Sequence, residues 1–400
     1  MNPLLTPYVT ERALGLLDGP RWRPLEDALA TFVADLRARP VDEEAGEDAA
    51  ARIYLLRLAT AGLLEWVVPA AYGGADLGEG PERAAELSST AICLIRQWLA
   101  RESGALDTAF VMQGLGSFPL ALAAGEPLRR YVLPRVASGA TVCAFALTEP
   151  EAGSDVKNLR TTATPADGGV VLDGTKCFIS NAGLADSYVV FAREAGEGKP
   201  RISAFFVAGN APGLSVIRTR VLAPHPIGTV KLERVFVPEA HRVGEPGAGL
   251  KLALGNLDVF RVSVGAAALG LADRALAETV AHLKRRVQFG KPLAEQQGLQ
   301  FALADLATEQ LAAQLLVYRA AAARDAGHAT SEMAAMAKMH ATESAQRAID
   351  RAVQSFGGLG VTVGQVPERL YREIRALRIY EGATEVQKLV IARALLDERG

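Results

Sequence analysis

The sequence predicts a mainly α-helical chain with a central β domain. Alanine and leucine dominate outside the middle third, which favours helix. Apolar residues recur at helical spacing between residues 24 and 140, and the helical signal returns from about 247 onward. Between 141 and 245 it gives way to short strand-like runs separated by polar or Gly/Pro-containing turns. The predicted order is an N-terminal helical domain over 1–140, a middle barrel-like β domain over 141–245 and a C-terminal four-helix-bundle domain over 246–400.

Taken in order, Leu25, Ala28, Leu29 and Phe32 form one helical stripe, and Ile53, Leu56, Ala59 and Leu63 another. The acidic stretch 42–48 is a solvated connection or a helix start, and residues 69–80 are a loop. Gly125-Glu126-Pro127 opens the last helix of the first domain. In the middle domain, residues 169–176 are a strand ending in the Asp173-Gly174 turn. Further strands fall at 187–191, 202–207, 214–221 and 230–237, which suggests a small antiparallel sheet or barrel. Helices follow near 248–285, 293–327, 331–356, 366–379 and 384–397, with breaks at Phe289-Gly290-Lys291-Pro292, at Gly357-Gly358-Leu359-Gly360 and around Gly382.

The chain of 400 residues is long enough for two or three domains with ample core. It is 50 % hydrophobic and 22 % charged, as expected of a soluble globular protein. A formal net charge of −2 offers no basic surplus for nucleic acid or an anionic membrane. Cys93, Cys143 and Cys177 lack paired metal spacing, so buried thiols in a reducing cytosol are expected and no metal site. Residues 1–17 lack the pattern of a secretory leader, and no run approaches the roughly 18 consecutive apolar residues of a membrane span. A cytoplasmic location is expected.

Three segments combine groups with chemical use. Tyr380-Glu381-Gly382 puts a lone acid between an aromatic residue and a glycine. A carboxylate in a partly apolar pocket has a raised pKa and becomes a general base near neutrality, although acids beside glycine at helix ends are commonly caps. Thr148-Glu149-Pro150-Glu151-Ala152-Gly153-Ser154-Asp155 offers hydroxyls and backbone N–H groups on one surface; a turn capped by Ser154 or Asp155 has the same composition. Phe178-Ile179-Ser180-Asn181-Ala182-Gly183 places an aromatic ring and a hydroxyl two residues apart, on one face if extended, which suits a planar ring or an ordinary strand end.

These segments resemble the signatures of the FAD-dependent acyl-CoA dehydrogenases. The likeness continues through Leu257-Asp258-Val259-Phe260-Arg261, Arg286-Val287-Gln288-Phe289-Gly290-Lys291 and Gln354-Ser355-Phe356-Gly357-Gly358, in family order, and covers about residues 25–395. The resemblance implies an acyl-CoA dehydrogenase-like fold and a set of roles. Phe145, Leu147, Thr148, Gly153 and Ser154 would line the flavin, with Ser154 also near the acyl-CoA. Phe178, Ile179 and Ser180 would flank its ring; the family usually has Trp and Thr where this chain has Phe178 and Ser180, which bears on flavin potential rather than binding. Arg286, Gln288, Phe289, Gln297, Gln354, Gly357 and Gly358 match residues that hold a neighbouring subunit's FAD, and Thr384 and Glu385 join the cofactor set. Asp258, Arg261, Tyr380 and Gly382 match substrate-contacting positions.

By the same resemblance Glu381 is the catalytic base. Some family members carry the glutamate immediately before the helix arginine, where this chain has Phe260. The implied reaction is α,β-dehydrogenation of an acyl-CoA to the trans-2-enoyl-CoA, with hydride passing to flavin N5. The expected partners are an electron-transfer flavoprotein and other copies of the chain in a homotetramer. Glutaryl-type members have an arginine where Asp107 falls, so a dicarboxylate substrate is not expected; Asp107 is either an N-cap before Phe110 or a group favouring a polar acyl chain. The segment 222–228, containing Pro224, His225 and Pro226, departs from the family pattern. An oxidase or flavin monooxygenase on the same fold, and a non-catalytic flavin-binding protein, are the alternatives; a retained Glu381 argues against the monooxygenase.

Overall fold

The computed structural model describes residues 19–43, 46–76, 87–194, 201–328 and 330–396. The N-terminal stretch without a leader pattern lies outside them. In chain order the helices are α1 (Gly19–Ala38), α2 (Glu47–Thr60), α3 (Ser89–Glu102), α4 (Gly104–Ala123), α5 (Glu126–Ala137), α6 (Gly249–Arg285), α7 (Gln297–Asp325), α8 (Ser331–Phe356), α9 (Val366–Leu377) and α10 (Thr384–Leu396). The strands are β1 (Cys143–Ala146), β2 (Thr162–Ala166), β3 (Gly169–Ser180), β4 (Ser187–Glu194), β5 (Arg201–Ala208), β6 (Leu214–Arg218), β7 (Ile227–Pro238) and β8 (Arg242–Val243), with a small hairpin of β9 (Val287–Gln288) and β10 (Lys291–Pro292). The chain forms two compact units, whose boundaries fall inside α4 and α6.

The helical unit contains the described residues up to 40, residues 89–107 and the chain from 259 onward. Its centre is α8, on which α7, α9 and α10 all pack. The buried face of α8 is mostly alanine (Ala334, Ala335, Ala337, Ala341, Ala345, Ala348, Ala352), with Lys338, Thr342, Ser344 and Ile349 among them, so neighbouring helices can approach closely. Thr330 caps the helix, its side chain accepting from Met333 N–H, and Gly357 ends it with φ of 60°. Inside the unit, Asp273 on α6 accepts from the Gln97 and Gln310 side-chain amides, each at 2.8 Å, and the Tyr318 hydroxyl donates to Gln97 Oε1 at 2.6 Å. This buried network ties α3, α6 and α7 in one arrangement. Helix α6 is long and apolar enough to cross a bilayer, yet 72 % of its apolar window is buried inside the protein, as in a core helix.

Gly270 lets α6 and α3 meet: a Cβ there would lie 2.2 Å from the Gln97 carbonyl oxygen and 2.9 Å from the Arg101 nitrogen. Neither backbone atom can swing aside. Gly270→Ala is therefore expected to destabilise the protein by about 1–3 kcal/mol, read as a lowered denaturation midpoint, whereas Gly255→Ala, where nothing lies within 4 Å, should leave it nearly unchanged.

The mixed unit contains residues 41–88 and 108–258, within the described residues. Its sheet runs β6-β7-β3-β2-β4-β5-β8, with β1 pairing to β4 off this path. Most pairings are antiparallel, but β1 and β2 both run parallel to β4, so the expected small antiparallel sheet or barrel is corrected to a mixed sheet. The reason is the long connection from β1 to β4, which supplies the crossover a parallel pair needs. The Asp173-Gly174 turn is a second correction. Those residues sit inside β3 at a bulge, where Asp173 Oδ1 accepts the Arg234 N–H at 2.8 Å. The turn is the other Asp-Gly pair, Asp167-Gly168, which closes the β2–β3 hairpin with Gly168 at φ 74°.

Candidate active site

Backbone strain marks the site first. Among the described residues the non-glycine positions with positive φ are Phe178, Asn181, Arg234, Phe289 and Glu381. A bulky residue held there costs of order 1–3 kcal/mol and persists only where its surroundings impose it. Three of the five are residues that the sequence singled out.

Glu381, at φ 52°, and Gly382, at φ 96°, form a left-handed pair between α9 and α10. Their carbonyls are held from two other helices: Arg261 Nε of α6 donates to Glu381 O at 3.3 Å, and Lys338 Nζ of α8 donates to Gly382 O at 2.8 Å. Gln387 Nε2 also donates to Gly382 O, at 2.9 Å. The Thr384 hydroxyl donates to Glu343 Oε1 at 2.7 Å, and Arg378 donates to the same carboxylate, closing the loop from the far side. Thr384 is thereby a buried loop anchor, while Glu385 is exposed.

The Glu381 carboxyl oxygen Oε2 is closed to solvent and has no hydrogen-bond partner among the described residues. Burial raises its pKa, against the opposing pull of Arg96, Lys338 and Arg261. A carboxylate in this state is a poised proton acceptor. The Glu381 N–H, for its part, donates to no main-chain carbonyl among the described residues.

Beside it lies a buried ion pair absent from the sequence expectations. Arg96 Nε and Nη2 donate to both oxygens of Asp107 at 2.8 and 2.7 Å, and Arg96 Nη1 donates to Ser263 Oγ at 2.9 Å. Asp107 is therefore not an N-cap. Helix α4 starts earlier, at Gly104, and the Ser103 hydroxyl accepts from the N–H groups of Ala105 and Leu106. Arg96 opposes the rise that burial gives the Tyr380 hydroxyl pKa. Lys338 is fully buried, and desolvation pushes its pKa down to about 8. Both cations sit on buried helix faces, Lys338 amid the alanine stripe of α8; that misplacement of charge is the only sequence signal that could have exposed it.

At one end of the same unit, His282 of α6 and Phe356 of α8 stack at 4.1 Å, which brings the expected cofactor-holding segments 286–289 and 354–358 to neighbouring helix ends. Arg286, Gln288, Gln297, Gln354, Gly357 and Gly358 are exposed there, and Phe289 is 94 % exposed. A Cβ on Gly357 or Gly358 would meet nothing within 4 Å, so their backbone is open to an approaching group.

In the mixed unit the other two segments are brought together. Cys177 N–H donates to Thr148 O at 2.9 Å, and Lys176 Nζ donates to Leu147 O at 3.1 Å and Glu149 Oε1 at 2.7 Å. Glu149 also accepts from the N–H groups of Arg160 and Thr161, so this buried ion pair fixes the 147–149 turn. Phe145 and Leu147 point into the core, Phe145 against Phe191 at 5.0 Å. Phe178, with its left-handed backbone at the register shift between Lys176 and Ile179, stands 64 % exposed, while Ile179 is buried and Ser180 half-buried. Ser180 Oγ lies 3.3 Å from His225 Nε2, which connects the atypical 222–228 segment to this strand. Gly153 and Ser154 are exposed. Asp258 is half-buried on α6.

Residues 23–140, 144–235 and 247–396 match the N-terminal, middle and C-terminal domains of acyl-CoA dehydrogenase. The chain is 40 % identical over 340 residues to an acyl-CoA dehydrogenase of Bacillus subtilis, covering 84 % of this chain and 87 % of the relative. It is 37 % identical, with the same coverage, to a cyclohexane-1-carbonyl-CoA dehydrogenase of Geobacter metallireducens. A glutaryl-CoA dehydrogenase of Mycobacterium smegmatis, solved in complex with FADH2, superposes with a TM-score of 0.86 at 25 % identity and full coverage of both chains.

Proposed function

The chain belongs to the acyl-CoA dehydrogenase family, and from that premise we propose that it removes the α-proton and β-hydride of an acyl-CoA thioester to give the trans-2-enoyl-CoA, with Glu381 as base. The enzyme is an oxidoreductase acting on acyl-CoA, and its cofactor is FAD. The observation that carries the assignment of the base is the Glu381 carboxyl, closed to solvent at Oε2 and raised in pKa by burial, in a left-handed loop held by other helices.

The residues present fit FAD. In the mixed unit Phe178 offers an outward ring and Thr148 and Ser180 hydroxyls; in the helical unit, separately, Arg286, Gln288 and the open backbone of Gly357 and Gly358 suit the phosphate and ribose oxygens of a neighbouring subunit's FAD. When bound, FAD supplies the hydride acceptor for the β-carbon. The protein does the rest. The Glu381 N–H is available to the thioester oxygen, where it stabilises the charge that develops as the α-carbon loses its proton. The Glu381 carboxylate takes that proton, and burial makes it basic enough to do so. Arg96 is already engaged by Asp107 and Ser263, so it is not available to a second carboxylate on the substrate; a neutral acyl chain is favoured.

On the same footing we place reduced enzyme in exchange with an electron-transfer flavoprotein and the chain in a homotetramer, with segments 286–297 and 354–358 reaching a neighbour's FAD. Free, buried Cys93, Cys143 and Cys177 accord with a reducing cytoplasm. The test is to mix the FAD-loaded enzyme anaerobically with a panel of straight, branched and cyclic acyl-CoA thioesters. At least one neutral acyl-CoA should bleach the flavin rapidly, and reoxidation should be fast with an electron-transfer flavoprotein or ferricenium and slow with oxygen. Stoichiometric peroxide formation would identify an oxidase, and no bleaching by any thioester would refute the function.

A further inference from the structure

We propose that Lys338 is a positioning residue for Glu381: its ammonium pins the Gly382 carbonyl and, as a buried positive charge in the acid and neutral range, holds the neighbouring carboxylate in the form that can accept a proton. The inference rests on Glu381 being the base. Lys338 Nζ lies 2.8 Å from Gly382 O on a side chain with no solvent exposure. A lysine so placed loses its hydration, and methionine would fill the same space without that cost. What the lysine adds is at the loop. The left-handed conformation of Glu381 and Gly382 is unfavourable for a side-chain-bearing residue and must be imposed from outside, and the Gly382 carbonyl is where α8 imposes it.

The charge has a second consequence. The groups facing Lys338 are Glu381, Arg261, Glu343 and Arg378, and those facing Glu381 are Arg96, Lys338, Arg261 and Asp107. Arg378 is paired with Glu343, so those charges largely offset one another at Lys338; Arg96, although paired with Asp107, still exerts the strongest pull against burial on Glu381, followed by Lys338 and Arg261. Arg261 and Lys338 remain as the cations bonded to the loop itself. Lys338 lowers the pKa that burial has raised; without it Glu381 would carry its proton to higher pH and be a base less of the time.

The experiment compares FAD-loaded wild type with Lys338→Met, Lys338→Gln and Lys338→Arg. Two quantities are followed against pH: the anaerobic flavin-reduction rate at saturating acyl-CoA, and the infrared carboxyl band of Glu381 in the substrate-free protein, identified by difference against Glu381→Gln. Met and Gln should move the acid limb of the rate and the infrared titration upward together by about one pH unit. On the acid limb reduction should slow by about tenfold while KM changes by less than about twofold. Arginine should return both titrations toward wild type. Gln keeps a donor for Gly382 without the charge, so it carries the test if Met fails to fold. An acid limb and a carboxyl band that both stay in place, or a rate loss equal at every pH, would overturn the proposal. Failure of the underlying assignment looks different: Glu381→Gln would then reduce flavin as fast as wild type, whatever Lys338 does to the carboxyl band.

Discussion

Glu381→Gln is expected to slow flavin reduction by a good acyl-CoA substrate by roughly 10²–10⁴-fold, the contribution of a well-placed general base. Glutamine keeps the size of the side chain and a carbonyl acceptor but cannot take the α-proton. The loop should survive the change, because Arg261 and Lys338 hold main-chain carbonyls rather than the carboxylate. FAD occupancy and acyl-CoA affinity should therefore remain close to wild type, and the loss should fall on the reduction rate. Anaerobic stopped-flow absorbance measures it. Bleaching within a few-fold of wild type would show that another group takes the proton.

The second large effect is on stability. Asp107→Ala removes one partner of a pair in which Arg96 is 1 % and Asp107 3 % exposed, leaving a guanidinium buried without its counter-charge. Breaking such a pair costs about 3–5 kcal/mol, a large share of the stability of an ordinary domain. The denaturant midpoint should fall accordingly when FAD and protein concentrations are held constant. Replacing both residues, as Arg96→Met with Asp107→Leu, should recover much of that loss, since an apolar pair needs no desolvation of charge. Asp107 also raises the Glu381 pKa, so its removal should shift the acid limb of the rate profile downward, opposite to removal of Lys338. Equal stability of the single and double variants would show that the charge of Arg96 is not what destabilises Asp107→Ala.

Local signals served well where the governing interaction is local. Helix α8 spans Ser331–Phe356, as its pattern implied, because a threonine cap and a glycine stop act within a few residues of the ends they define. The two Asp-Gly pairs show the limit. They are alike in sequence, yet Asp167-Gly168 turns the chain while Asp173-Gly174 is a bulge, because Asp173 finds the Arg234 N–H on β7, 61 residues away. Asp107 fails for the same reason: an N-cap and one half of a buried ion pair share a residue type, and only the position of Arg96 on α3 separates them.

The sequence by itself determined the mainly helical class with its central sheet, since apolar periodicity and turn chemistry are properties of neighbouring residues. It also marked Glu381, as an acid between an aromatic residue and a glycine. Tertiary structure alone decided what surrounds that acid. Arg96, Arg261 and Lys338 come from three helices remote in sequence, and their influence depends on distance and on the exclusion of water. Those two quantities exist only after the helices have packed.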